Sequence, residues 1–419
     1  MDADNEIESL GGDENNPIEG EEDVAFSRRT GQRLIDDLAY VIEIDSDLTL
    51  ISWGGNSTSP LLQALANEEW EEIGRAISSN INFHALQIMD GALDDHKMTY
   101  LFKGLTASKS IRELILHENG LSAAGLSSME SFLYNSKNLR LLKLVGNNIG
   151  SEGFNYLLQA LFDINIVETM NCSQCGIESI QIDNNCVPRS LVKLVLGDNN
   201  IDASGCKELA KLLEGKESAL EILGLENNKI GDEGVVILAD ALKKNTTLKS
   251  LHLNGIGMST KGRLSLLALV NDISTIKATL HSNHTLTTIT KENIEDEGKD
   301  FFADCFIEMA LAFNRQYIGN FEVAGKEKLI RTQLGLQTRK LMAYIQGVQQ
   351  SLYSQINPLH LPEVLSVIGR RLKVGELNTA LRTFIVELLE TVNRKKCLQQ
   401  KMEYHLAQVE QIRAELEVI

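Results

Sequence analysis

One short pattern recurs along this chain, and within it a spacing of about two residues gives way to a spacing of about 3.6. Between Leu220 and Lys244, in LEILGLENNKIGDEGVVILADALKK, Leu220, Leu223 and Leu225 are apolar with polar or small residues between them. Asn228, Ile230 and Gly234 follow, and then Leu238 and Leu242 stand four residues apart. That change of period reads as strand, turn and helix. A unit of this kind cannot bury its own apolar face. It needs copies of itself on both sides.

The copies are present at a nearly constant step. Phe83, Leu86 and Ile88 open one, with Leu93 in the place of Ile230. Twenty-eight residues on come Ile111, Leu114, Leu116, Asn119, Leu121 and Gly125, and 28 further Leu139, Leu142, Leu144, Asn147, Ile149 and Gly153. The next, with Val167, Met170, Cys172, Cys175 and Ile177, is only 24 residues long, and Ile180, Ile182 and Pro188 replace its helix. Leu191, Leu194, Leu196, Asn199, Ile201 and Gly205 restore the pattern ahead of Leu220, and Leu248, Leu251, Leu253 and Gly262 continue it. A last, degenerate copy starts at Leu286 and Ile289 after about ten extra residues.

LxxLxLxxNxI followed by xxxGxxxLxxxL is the pattern of the leucine-rich repeat. The 28–29 residue period resembles the ribonuclease-inhibitor subtype, also seen in Ran GTPase-activating proteins and innate immune receptors. The resemblance covers residues 45–295 and implies an α/β solenoid. Such a solenoid is a curved horseshoe with parallel strands on the concave face and helices on the convex face. Asn119, Asn147, Asn199 and Asn228 are expected to turn inward and satisfy backbone groups at the bend. The glycines from Gly125 to Gly262 mark a close approach where loop meets helix.

Four regions follow from this register. Residues 1–25 hold ten Asp or Glu and no Lys or Arg, and read as a disordered acidic tail. Residues 26–82 form an N-terminal cap, with helix-like spacing over Ser27–Ile44, and a first divergent repeat whose helices cover Leu61–Ala66 and Trp70–Ser78. Residues 83–295 are the repeats. Residues 296–419 read as all-α, with helices over Phe301–Phe313, Glu327–Ile356, Glu363–Leu372 and Glu376–Ile419. The last carries a coiled-coil-like stripe from Leu381 to Ile419 that fits a homodimer, a cap on the array or a partner helix.

The formal charge is −18, and about −11 of it falls between the acidic tail and the mildly basic C-terminal end. An acidic middle argues against nucleic acid as a partner, because affinity there comes from neutralising phosphates. No apolar run is long enough for a membrane span, and the acidic start is no secretory signal. Six irregularly spaced cysteines are no disulfide framework, and four Asn-x-Ser/Thr triplets read as chance. The expected location is the cytoplasm, or the nucleus where a partner carries it there.

Chemistry is scarce. Cys172-x-x-Cys175, with Cys186 and Cys206 downstream, has the look of zinc ligands, but Cys172 holds a leucine position and Cys175 the asparagine position. No phosphate loop or catalytic order is legible, and neither a metal, a cofactor nor an enzymatic activity is expected. His117 and His252 fall on outward strand positions without an evident acid partner, which makes them contact residues. The outward positions of successive strands bring Met89, Ile115, Leu141 and Val145 into an apolar cluster, extended by Val195 and Ile222. Lys143, Glu226, His117 and His252 stand among them. An apolar patch with a polar rim is a mark of protein binding. The expectation is therefore a non-catalytic scaffold or adaptor that binds an unidentified protein on its concave face. The alternative is a GTPase-activating protein similar to the Ran activator.

Overall fold

The computed structural model describes residue 36 and residues 50–53, 65–90, 93–183, 188–215, 217–272, 274, 276–291 and 299–328. The chain divides into two compact units, Met1–Asn200 and Ile201–Ile419. The tail at 1–25, the stretch Ser27–Ile44 apart from residue 36, the helices expected after residue 328 and the coiled-coil-like stripe lie outside the described residues.

In the first unit the order is β1 (Leu50–Trp53), α1 (Asn67–Ser79), β2 (Ala85–Met89), α2 (Asp95–Leu105), β3 (Glu113–His117) and α3 (Ala123–Ser127). Then come α4 (Glu130–Asn135), β4 (Leu141–Lys143), α5 (Gly150–Ile164), β5 (Thr169–Asn171) and β6 (Lys193–Val195). All six strands are parallel and pair in sequence order. Their register puts Leu86, Leu114, Leu142, Met170 and Leu194 in one line across the sheet, each nearly or fully buried. Each such side chain contributes about 1.5–3 kcal/mol. The inward positions are the ones that the alternation predicts.

The second unit runs α6 (Ala203–Glu214), β7 (Ile222–Gly224), α7 (Gly231–Leu242), β8 (Ser250–His252), α8 (Thr260–Val270), α9 (Ile276–Leu280) and β9 (Thr288–Thr290). It continues with α10 (Lys299–Gln316) and α11 (Phe321–Lys328). Leu223, Leu251 and Ile289 line up across its parallel strands. The degenerate copy expected at Leu286 and Ile289 is present as β9, and α9 occupies the extra residues before it.

The turns are tied by asparagine. Asn199 Oδ1 accepts from the N–H groups of Cys175 and Ile177, and its Nδ2 donates to the carbonyls of Cys172, Leu196 and Gly197. Asn147 Nδ2 donates to Leu116 and Leu144, and its Oδ1 accepts from Asn119 N–H, so one amide joins two copies. Where Cys175 stands instead, its thiol donates to the Leu144 carbonyl at 3.1 Å, the bond an amide would make to the preceding copy.

Carboxylates link the helices. Asp95 Oδ1 accepts from Ser122 N–H at 2.8 Å and Oδ2 from the Ser122 hydroxyl at 2.5 Å, and Ser122 is the N-cap of α3. Asp232 repeats the arrangement on Ser259 and Gly262 of α8 at 2.9 Å. A Cβ on Gly125 would collide with Asp95 Oδ1, and one on Gly262 would lie 2.8 Å from Asp232 Oδ1. That is the physical basis of the recurring glycine at these two copies. Farther up the helix layer, Gly74 and Gly104 let α1 and α2 cross backbone to backbone, with a Cβ on Gly74 only 2.9 Å from Gly104 Cα.

Several sequence expectations need correction. Leu65 and Ala66 are not helical, and α1 runs from residue 67 to residue 79, while residues 61–64 of the first expected helix lie outside the described residues. The helix α11 covers residues 321–328, ahead of the helix expected to begin at Glu327. In the copy at 167–190 no helix is present among the described residues, as expected, and Ile180 and Ile182 are buried at 4% and 6% exposure in its place.

At the far end of the second unit a second asparagine series appears. Asn245 Nδ2 donates to Leu213 O, Asn283 Nδ2 to Leu242 O and Asn245 O, and Asn314 Nδ2 to Asn283 O and Leu286 O. Asn314 belongs to α10, so this helix plugs into the series where another repeat would continue it. Arg263 and Lys291 fasten the same helix through Asp304, at 2.5 and 3.7 Å. Asn245 and Asn283, which head two of the Asn-x-Ser/Thr triplets, have their side chains committed to these buried bonds.

Candidate binding face of the strands

The outward positions of the first unit form a grid. One row reads Ala85, Glu113, Leu141, Thr169 and Lys193, and the next Gln87, Ile115, Lys143, Asn171 and Val195. A third begins with Met89 and His117 and continues to Val145, whose carbonyl accepts from Glu118 N–H at 2.8 Å. Met89, Ile115 and Leu141 therefore fall on a diagonal, stepping one strand and one alternation each time. With strands about 4.8 Å apart and a two-residue rise of about 6.6 Å, neighbours on the diagonal are about 8 Å apart, within reach of long side chains.

Polar groups interrupt the stripe along every row. Glu113 stands beside Leu141, Lys143 beside Ile115, and His117 beside Met89. Met89, Ile115, Leu141, Val145 and Val195 are all half-buried, so the cluster is less exposed than the alternation alone suggests. Ile81, at 81% exposure, is the most exposed of the large apolar residues described in this unit and lies in the loop before β2, off this face.

In the second unit the rows are Ile222, Ser250 and Thr288, then Gly224, His252 and Thr290. Ile222 is half-buried as expected, whereas Gly224 is buried, as is Gly197 in the first unit, so neither presents a surface group. His252 does have an acid partner: its Nδ1 lies 3.1 Å from Glu226 Oε1. That corrects the reading of an isolated histidine. The register sets Glu226 diagonally beside His252, so the alternation along one strand does not by itself show the pair. A carboxylate on Nδ1 fixes the ring's orientation and favours the Nδ1–H tautomer.

His117 also has acidic neighbours. Its Nε2 is 3.7 Å from Glu118 Oε1, and Asp90, His117 and Glu118 bring three donor atoms within 4.8 Å of one another at the ends of β2 and β3. This group was missed in the sequence because its members come from two copies. Two of its residues are exposed carboxylates, and the group forms the polar border of the apolar diagonal.

Cys172 and Cys175 are fully buried in the first unit and Cys206 is buried in the second, while Cys186 lies outside the described residues. The Cys172 thiol donates to the Cys175 sulfur, which together with burial pushes Cys172 well above its usual range and lowers Cys175. Burial and the Asp202 charge push Cys206 up to about 12. Metal ligation needs thiolates, which the shifts at Cys172 and Cys206 oppose and the shift at Cys175 favours. No helix among the described residues is long and apolar enough to cross a membrane.

Comparison with known proteins gives the repeat its class. Residues 135–155, 187–210 and 219–239 match the Leucine Rich repeat family. Ribonuclease inhibitor of Sus scrofa is 26% identical over 200 residues, covering 46% of this chain and 43% of that protein. NACHT, LRR and PYD domains-containing protein 3 of Macaca mulatta is 26% identical over 190 residues, covering 45% of this chain and 16% of that protein. The chain thus spans less than half the length of these curated relatives. Among solved structures, internalin C2 of Listeria monocytogenes aligns over 61% of this chain and 92% of its own, at 16% identity and a TM-score of 0.28.

Proposed function

This chain is a leucine-rich-repeat protein similar to ribonuclease inhibitor, and we propose that it is a non-catalytic scaffold or adaptor that binds a partner protein on the open face of its strands. The observation that carries the reading is the diagonal of Met89, Ile115 and Leu141 with Val145 beside it, bordered by Glu113, His117 and Lys143. Half-buried apolar groups set among charges are the arrangement in which a few anchors carry binding while the rim excludes water. Lys193, Val195, Ile222 and His252 are the further contact residues on their own strands, with Glu226 just past the end of β7. Ribonuclease inhibitor, by its name, inhibits a ribonuclease, which is in keeping with a protein-binding role for the same kind of repeat.

Leu141→Asp and Ile115→Asp place a charge in the middle of the diagonal without touching the inward leucines. Both variants are expected to keep their circular dichroism and to melt within a few degrees of the parent. Both should lose partners captured by the parent chain in parallel pull-downs. A variant that unfolds would show that these positions face the core. The GTPase-activating reading gains no support from the described residues.

A further inference from the structure

Lys328 is fully buried at the end of α11, and its Nζ donates to Val270 O at 2.6 Å and to Asn283 O at 3.2 Å. The same nitrogen lies 3.0 Å from His284 Nδ1. On the other side of the ring, His284 Nε2 is 3.1 Å from Leu280 O, which can only accept. The proton of the neutral ring therefore belongs on Nε2, and Nδ1 is left as an acceptor for the lysine. The pair accommodates one positive charge. A second would set two N–H groups and two cations against each other at a contact where His284 is half-buried.

The helix α11 rests on this ring. A Cβ on Gly325 would lie 3.1 Å from His284 Nε2 and 3.4 Å from Leu280 Cδ2, so the backbone of α11 is seated against both residues. Among its described side chains Ala324 and Lys328 are buried and Val323 is half-buried, while Phe321 is 42% exposed and Glu322 is exposed. An eight-residue helix has little stability of its own, so it depends on its contacts with the rest of the unit, the Lys328–His284 contact among them.

We propose that the Lys328–His284 contact is an acid-sensitive latch, which keeps α11 seated on the end of the second unit near neutral pH and releases it on acidification. The neighbouring charges act in the same sense. Burial, followed by Lys328 and with a smaller part from His281, lowers His284 from 6.5 to about 4, against the Leu280 carbonyl and the Asn314 side chain. Burial lowers Lys328 from 10.5 to about 7. Both groups bind fewer protons when α11 is seated than when it is free. Seating therefore weakens as pH falls from 10.5 to 7 through the lysine, and again from 6.5 to 4 through the histidine. Of the other charged groups on the adjoining elements, Lys277 on α9 offers its carbonyl to His281, and Arg315 on α10 donates to Thr287 O.

Amide hydrogen exchange on the full chain tests this, read as protection factors for residues 321–328. The parent should lose protection at least tenfold between pH 7 and pH 4.5. His284→Asn, which keeps an acceptor near Nδ1 but cannot take a proton, should retain it. Protection that persists in the parent, or that disappears at the same pH in both, overturns the latch. Should His284→Asn fail to seat α11 even at pH 7, the nuclear magnetic resonance titration of the His284 ring decides. A midpoint well below 6.5 that rises by half a pH unit or more in Lys328→Met supports the latch, and an ordinary midpoint in the parent overturns it.

Discussion

The copy that starts at Val167 and the copy that starts at Leu220 share a strand and a turn and differ in the segment beyond the turn. In the first, β5 leads to Cys175 and then to a segment with neither helix nor strand among its described residues, in which Ile180 and Ile182 are buried. In the second, β7 leads to Asn228 and then to the twelve-residue helix α7. Strand and turn are therefore held by the sheet register and the ladder of side-chain bonds, whatever covers them. The outer layer fills volume, and two isoleucines on a short path can replace a helix. The turn position is less interchangeable. Asn228 accepts from Ile201 N–H and donates to the carbonyls of Leu225 and Glu226, whereas the Cys175 thiol donates to Leu144 and lacks an amide's second arm.

The comparison breaks most readily at Asn199, whose amide serves the helix-less copy and its own. Asn199→Ala orphans several buried backbone groups at about 1–3 kcal/mol each, so a loss of about 4 kcal/mol is expected in urea unfolding. Cys175→Ala should cost about 1 kcal/mol. Equal losses would show that the amide and the thiol do the same work. If Ile180 and Ile182 stand in for a helix, Ile180→Ala should lower stability by about 2–3 kcal/mol, close to a core truncation elsewhere. A loss below about 0.5 kcal/mol, the size of an ordinary surface change, would mean that the segment covers nothing.

The smallest effect expected concerns the carboxylates that link consecutive helices. Burial raises the Asp232 carboxyl, but the Ser259 hydroxyl and the N–H groups of Ser259 and Gly262 outweigh it and hold it below its ordinary value of 3.8. A lowered carboxylate stabilises the folded state above its unfolded value and loses that contribution as pH falls through the folded one. Asp232→Asn should therefore show less of the acid-induced loss of stability below about pH 4 than the parent. Identical acid transitions would remove Asp232 from the account.

Much of this was legible because the repeat writes its geometry locally. The inward line of Leu86, Leu114, Leu142 and Leu194, the asparagine turns and the substitution at Cys175 all follow from position within the copy. The features that were not legible depend on contacts between copies or outside them. The Glu226–His252 pair needs the diagonal of the sheet as well as the alternation. The reach of Asp95 to Ser122 joins residues 27 apart, and only its recurrence as Asp232 to Ser259 makes it visible as a pattern. The insertion of Asn314 and Lys328 into the end of the second unit has no repeating counterpart in the sequence at all.

The central claim is that the diagonal on the strand face binds a protein partner, and a paired capture experiment tests it most directly. Parent chain and Leu141→Asp, matched for circular dichroism and melting temperature, are incubated with the same lysate and the bound proteins are quantified by mass spectrometry. One or more proteins retained by the parent and reduced at least tenfold on the variant is the predicted result. Equal retention of every bound protein by two equally folded chains would contradict the claim.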